Sequence, residues 1–212
     1  RGLLLIDDTS IPKQGRESAG VARQYCGALG KVANCQVIVT AALRSGQAVW
    51  PMAMELFLGE EWCRDEDRRE RTHVPASLQH RTKIEMAIQQ IDAVRAAGIE
   101  IECVLADAGY GEACGFREAI AQRGLSYAVG VVKKTTVFVQ PPTFAGPPPG
   151  EPGHSKSRKR LAKNSSMPRT LEQIATSAPL SDWRRIARRN GTKGKLGAHF
   201  LLVRVTPAHR WH

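Results

Sequence analysis

Apolar and polar positions along this chain recur with enough order to mark most of its elements. Leu3, Leu4, Leu5 and Ile6 are consecutive and run straight into Asp7-Asp8-Thr9. A short apolar run of this kind marks a strand buried in a sheet, here one that delivers carboxylates to its end. Residues 35–43 are β-branched and apolar, residues 44–47 make a turn, and residues 48–58 return with Pro51 displacing them toward an edge. These segments predict three consecutive strands in a meander, with residues 9–31 a long glycine-bearing loop. Residues 60–71 mix both signs of charge densely and read as an exposed surface segment. Ile84, Met86, Ala87, Ile88, Ile91 and Val94 recur at helical spacing, with Gly98 placed as the stop.

Residues 101–106 repeat the opening pattern and end in Asp107. A helix over 112–123 closed by Gly124, and a strand over 126–132, follow. Six prolines within residues 141–152 predict a spacer, and residues 155–163 form a basic run. A short helix over 171–178 and a strand over 198–205 complete the pattern. Strands that alternate with helices after a strand-rich start predict an α/β fold with helices packed on a mixed sheet. The expected organisation is a core over 1–140, a proline-rich and basic insertion or linker over 141–170, and a basic helix and strand over 171–212 that continue the core.

Composition changes this picture mainly through charge. The chain has 212 residues, 42% hydrophobic and 24% charged, and a net charge of +11. That is long enough for one well-cored domain with an appendage. Residues 1–150 hold 17 basic and 17 acidic residues, whereas residues 151–212 hold 14 against 3. A neutral body with a strongly basic final third fits a polyanionic partner, and equally a solvated basic tail. No apolar run approaches the ~20 residues of a membrane helix. The five cysteines are widely spaced and never in a C-x-x-C pair, which argues against a zinc site or disulfide framework and for a reducing cytoplasm. Arg1 stands directly before a strand, so the expectation is a piece of a longer protein.

Two distant strands that each end in aspartate suggest a carboxylate pair assembled by the fold. Hard divalent cations take such oxygen ligands. The competing reading is structural: Asp7 or Asp8 caps a turn, and Asp107 opens an Asx-type turn before Gly109. Gly109-Tyr110-Gly111 before a helix would let backbone amides approach a phosphate. Candidate phosphate contacts are Arg23, Lys31, Lys133 and Lys134, the run Arg158-Lys159-Arg160, and Arg184, Arg185, Arg188 and Arg189. Read as a helix, the last four share one face that tracks a DNA backbone.

Longer motifs then point to a family. Ile6-Asp7-Asp8-Thr9 with Pro12-Lys13, the stretches 20–27 (GVARQYCG) and 30–36 (GKVANCQ), Arg81-Thr82-Lys83, and 105–111 (LADAGYG) resemble the DDE superfamily endonuclease domain of bacterial insertion-sequence transposases. The resemblance runs through residues 1–135 and thinly thereafter. It implies a ribonuclease H-like fold with an Asp-Asp-Glu triad binding two Mg²⁺ or Mn²⁺ ions. It implies double-stranded DNA, as element ends and target, for substrate, a homo-oligomer when active, and a bacterial cytoplasmic, nucleoid-associated location without a membrane. Asp107 matches the second aspartate. Asp8 matches the first in preference to Asp7 because the resemblance places that aspartate directly before threonine; strand alternation puts the two on opposite faces, so only one is expected to face the metals. The third carboxylate has no match: Glu112, Glu118, Glu151 and Glu172 all lack the Arg…Glu…Lys setting, so the triad is expected to be cut short. A catalytically inactive DNA-binding remnant is therefore the competing function. A phosphoacceptor receiver domain also begins with an acid pair, but the strand-rich start does not suit it.

Overall fold

A computed structural model describes residues 1–145, 160–191 and 194–208. The chain forms two compact units, Arg1–Val131 and Val132–His212.

The first unit opens with β1 (Gly2–Pro12), β2 (Ala22–Cys26), β3 (Lys31–Ser45) and β4 (Ala48–Leu56). Three helices follow: α1 (Glu60–Arg64), α2 (Glu66–Arg71) and α3 (Lys83–Ala96). The unit ends with β5 (Ile101–Ala106), α4 (Ala108–Gly111), α5 (Cys114–Gln122) and β6 (Tyr127–Val129). Its six strands make one mixed sheet in the order β2-β3-β1-β5-β6, with β4 on β3. β1 runs antiparallel to β3, pairing Leu4 with Leu43 and Asp8 with Val39, and parallel to β5, pairing Ile6 with Ala106. β6 is parallel to β5. The acid-bearing opening strand, which continues past its aspartates to Pro12, is thus interior to the sheet, with neighbours on both sides.

Alternation sets the core. Leu4 and Ile6 on β1, and Cys35, Val37, Val39, Ala41 and Leu43 on β3, are all buried on one face. Helix α3 lays Met86, Ala87, Ile91 and Val94 against this face, joined by Phe116 and Ile120 of α5. Each fully buried aliphatic or aromatic side chain contributes roughly 1.5–3 kcal/mol relative to exposure. The ends of α3 are fixed locally: Thr82 and Glu85 form a reciprocal capping box, and Gly98 takes φ +76° after the last turn.

Two expectations are corrected. The segment over 9–31 is not all loop, because Ala22–Cys26 pairs with Lys31–Cys35 across a tight turn, with Ala22 opposite Cys35 and Cys26 opposite Lys31. This added strand interrupts the simple three-strand meander. Its cause is tertiary: Cys26 is buried with Cys35 and Val37, an apolar contact across strands that the glycines around it concealed. Residues 60–71, read as surface, hold a buried anchor instead. Trp62 is 1% exposed and its indole N–H donates to the Val21 carbonyl at 2.8 Å, with the Arg68 guanidinium 3.7 Å from the ring centroid. Arg69 is also buried and donates to the carbonyls of Cys63, Pro75 and Leu78.

The second unit is built from short pieces: β7 (Thr136–Phe138), β8 (Phe144–Ala145), β9 (Arg160–Leu161), β10 (Arg169–Thr170), α6 (Leu171–Ser177), β11 (Arg184–Gly191), β12 (Gly194–Phe200) and β13 (Thr206–Pro207). β10, β7 and β13 form a small antiparallel sheet, and β11 with β12 a two-stranded ribbon. Helix α6 follows the predicted span and carries its own capping box through Thr170 and Gln173. The strand expected over 198–205 lies earlier, because pairing with β11 holds 194–200 extended while 201–205 pair with nothing described.

A candidate carboxylate centre on two neighbouring parallel strands

Along β1 the even positions Gly2, Leu4 and Ile6 turn into the core, and Asp8 is next on that face, half-buried where the apolar stripe ends. Asp7 lies on the opposite face and is exposed, its Oδ1 accepting the main-chain N–H of Asp8 at 2.8 Å. Strand period alone produces this separation of adjacent carboxylates.

Asp8 is held from two directions. Lys83 Nζ donates to Oδ2 at 2.6 Å, and the Tyr110 hydroxyl donates a short hydrogen bond to Oδ1. Lys83 is the first residue of α3, so the capping box at Thr82 also sets where its ammonium points. Tyr110 belongs to the turn after β5. It is 4% exposed, with its ring centroid 5.5 Å from that of Phe116. Burial first, then its hydrogen bond to Asp8 and the nearby Asp107 and Asp7 charges, push the phenol well above its ordinary pKa. The hydroxyl therefore stays a donor.

Asp107 follows the last residue of β5 and caps α4. Its Oδ1 accepts the N–H of Gly109 at 2.9 Å and of Tyr110 at 3.4 Å. The Asx-turn reading is thus met; capping occupies one oxygen, and Oδ2 takes no part in it. The turn is seated closely: a Cβ on Gly111 would lie 1.9 Å from the Gly130 carbonyl oxygen at the end of β6. Tyr110 accordingly touches both aspartates, one through its side chain and the other through its main chain.

Two carboxylates carried by neighbouring parallel strands are hard oxygen donors, and Lys83 shows that positive charge is already accommodated on Asp8. The donor chemistry fits a hard divalent cation. Among the described residues no group of three His, Cys, Asp or Glu side chains converges on a metal position. Glu172 pairs with Lys133 at 2.7 Å, Glu118 accepts from Cys114 within its own helix, Glu112 ends α4 exposed, and Glu151 lies outside the described residues.

The basic candidates separate. Arg23 and Lys31 are exposed on the β2–β3 hairpin, which extends past the last residue of β1, Pro12. Arg184 and Arg185 are exposed on β11, and Arg188 and Arg189 lie in the same strand, their side chains outside what is described. The helical face expected for these four is overturned: in a strand, Arg184 and Arg185 point to opposite faces of the ribbon. Antiparallel pairing with β12 outweighed the i,i+4 spacing. Lys133 is already paired, Arg158 and Lys159 lie outside the described residues, and of Arg160 only the backbone in β9 is described. Sequence reasoning gave no role to Lys83 or Tyr110. Their signals were a lysine at the first position of an amphipathic helix and a tyrosine between glycines after an acid-ended strand.

Comparison with known proteins bears on the family rather than on these contacts. A probable transposase for insertion sequence element IS701 from Microchaete diplosiphon is 30% identical over 140 residues, covering 66% of this chain and 34% of that protein. The chain thus spans about a third of the length of this curated relative. No solved structure matches. The DDE superfamily endonuclease profile matches residues 1–195, through β1, β5 and Asp107 and into the basic ribbon, and the chain belongs to that family.

Proposed function

We propose that this chain carries the catalytic framework of an insertion-sequence transposase, with Asp8 and Asp107 as the carboxylates of a divalent-metal centre acting on DNA. The observation that carries the reading is the joining of these two residues through Tyr110 just beyond the point where the parallel pairing of β1 with β5 stops. The mixed sheet with an interior acid-bearing strand is compatible with a ribonuclease H-like architecture. A relative described as a transposase supports DNA as substrate. A bound Mg²⁺ or Mn²⁺ would supply Lewis acidity to a phosphodiester and ease deprotonation of the attacking water or 3′-hydroxyl. Asp8 and Asp107 would hold the cation, Lys83 balances the charge of Asp8 without it, and the buried phenol of Tyr110 keeps Asp8 oriented. The reaction is cleavage at element ends followed by strand transfer to target DNA. Joining two ends favours a homo-oligomer. The exposed arginines of the ribbon and hairpin would contact phosphates, which fix position without reading sequence.

The register sharpens the choice between the two neighbouring aspartates. Extended by one residue, the β1–β5 pairing sets Asp7 level with Asp107, whereas side-chain contacts favour Asp8. The test is Mn²⁺-dependent nicking of a duplex bearing an insertion-sequence end. Asp8→Ala and Asp107→Ala are expected to abolish it and Asp7→Ala to retain it; the reverse pattern for Asp7 and Asp8 overturns the assignment.

One observation favours a second reading: no third acidic side chain joins the pair among the described residues. A chain that retains the framework and binds DNA without cutting would be an inactive remnant. Retarded migration of the same duplex, without nicks at any Mn²⁺ concentration, is its signature.

A further inference from the structure

We propose that Tyr110 is a positioning residue that couples Asp8 and Asp107 into a single metal-binding unit. The inference rests on the carboxylate-centre reading above and adds a role for a residue that would not touch the cation. One residue supplies donors to both carboxylates: its hydroxyl to Asp8 Oδ1, and its main-chain N–H to Asp107 Oδ1 at 3.4 Å. Without it, Asp8 on β1 and Asp107 after β5 would be related only through the sheet backbone.

The residue is also immobilised on every side. Its ring packs on Phe116 within the main core, and the following glycine is pressed against the Gly130 carbonyl. A donor fixed in this way removes rotamer freedom from Asp8, leaving the carboxylate aimed before a cation arrives. Partners that orient ligating carboxylates generally affect metal affinity, with losses of about 10–100-fold on removal. The alternative is that the phenol merely finds an acceptor for its own buried hydroxyl, as tyrosines commonly do. That role would affect folding and leave cation binding unchanged.

The experiment is a Mn²⁺ titration of the 212-residue chain followed by electron paramagnetic resonance of the free ion, with melting temperatures measured alongside. Tyr110→Phe removes one oxygen and keeps the ring. It is expected to weaken Mn²⁺ binding about 10-fold or more. Phe116→Leu loosens the ring contact but keeps the hydroxyl, and is expected to lower the melting temperature with little change in Mn²⁺ affinity. If Tyr110→Phe melts lower as well, the rise in melting temperature on adding Mn²⁺, compared within each variant, carries the decision. Mn²⁺ affinity in Tyr110→Phe equal to wild type overturns the proposal, as does an equal loss in Phe116→Leu. Asp8→Asn and Asp107→Asn separate the two levels: if they abolish binding while Tyr110→Phe does not, only the positioning role fails. If neither changes Mn²⁺ binding, the carboxylate centre fails with it.

Discussion

The two units of this chain differ in how they use their residues. Residues 1–131 carry 15 basic and 17 acidic side chains, while residues 132–212 carry 16 basic and 3 acidic ones, so the positive charge belongs to the second unit. Burial runs the other way. The first unit packs a sheet against α3 and α5 around Leu4, Ile6, Val39, Ile91, Val104, Phe116 and Ile120. The described part of the second buries Val137, Phe138, Ile174 and Ala208, and leaves Leu180 and Leu202 90% and 98% exposed. Side chains that must hydrogen-bond between elements, as Lys83 and Tyr110 do with Asp8, need rigid backbones, and the well-cored unit supplies them. Cations meeting a phosphate backbone need only exposure, because their attraction is long-ranged and non-directional.

The largest expected effect tests the difference in packing. Phe116→Ala should cost about 3–5 kcal/mol, as large-to-small changes at fully buried aromatics do. Leu202→Ala in the second unit should stay within about 0.5 kcal/mol. Urea unfolding of both variants checks this, and comparable losses would erase the distinction.

A smaller effect tests the division of charge. Replacing Arg184 and Arg185 together with alanine should lower the slope of log K against log salt for duplex DNA by roughly 2. Arg23→Ala with Lys31→Ala should change it less. A larger change from the hairpin pair would move the DNA-contacting surface to the first unit.

The smallest effect lies in a polar clasp of the first unit. Arg123 donates to both oxygens of Asp92, Nε to Oδ1 and a terminal nitrogen to Oδ2, each at 2.6 Å. That hydrogen bonding holds the Asp92 carboxyl below its ordinary pKa, while burial pushes less strongly the other way. Because the folded value is depressed, the stabilisation is present above the ordinary carboxylate pKa of ~3.9 and is lost as pH falls through the folded value. Asp92 is 46% exposed, so screening keeps the contribution to about 0.5–1 kcal/mol. Asp92→Asn should lower stability at pH 7 by that amount, and the gap to wild type should close on acidification. A constant gap in the melting temperatures across pH would deny the clasp an ionic role.

Where an element is dictated by its own residues, the sequence showed it. The amphipathic spacing from Ile84 to Val94, the Thr82 cap and Gly98 stop, and the α6 segment are local signals, met within a turn or two of chain. The two apolar runs that lead into aspartates were equally legible as strands, although β1 continues past its aspartates to Pro12, because residues 9–12 pair with β3. What escaped reading depends on partners distant in sequence. Residues 22–26 become a strand because Cys26 finds Cys35 and Val37, and residues 60–71 fold against the body because Trp62 finds the Val21 carbonyl. The four arginines from 184 fit a helical face by spacing, but pairing with 194–200 makes the segment a strand. Local spacing cannot register such pairing.

The candidate site divides along the same line. Sequence by itself determined that carboxylates follow two apolar strand runs, that Asp7 and Asp8 must face opposite ways, and that a glycine-bounded tyrosine follows Asp107. These follow from strand period and turn chemistry, which act over a few residues. Only the tertiary structure decided that β1 and β5 lie side by side and parallel, and that Lys83, 75 residues along, and Tyr110, 102 residues along, both close on Asp8. The reason is physical. A hydrogen bond across such separations forms only after the buried face of the sheet has gathered α3 and α5, and packing, which depends on the whole apolar surface at once, fixes where each donor stands.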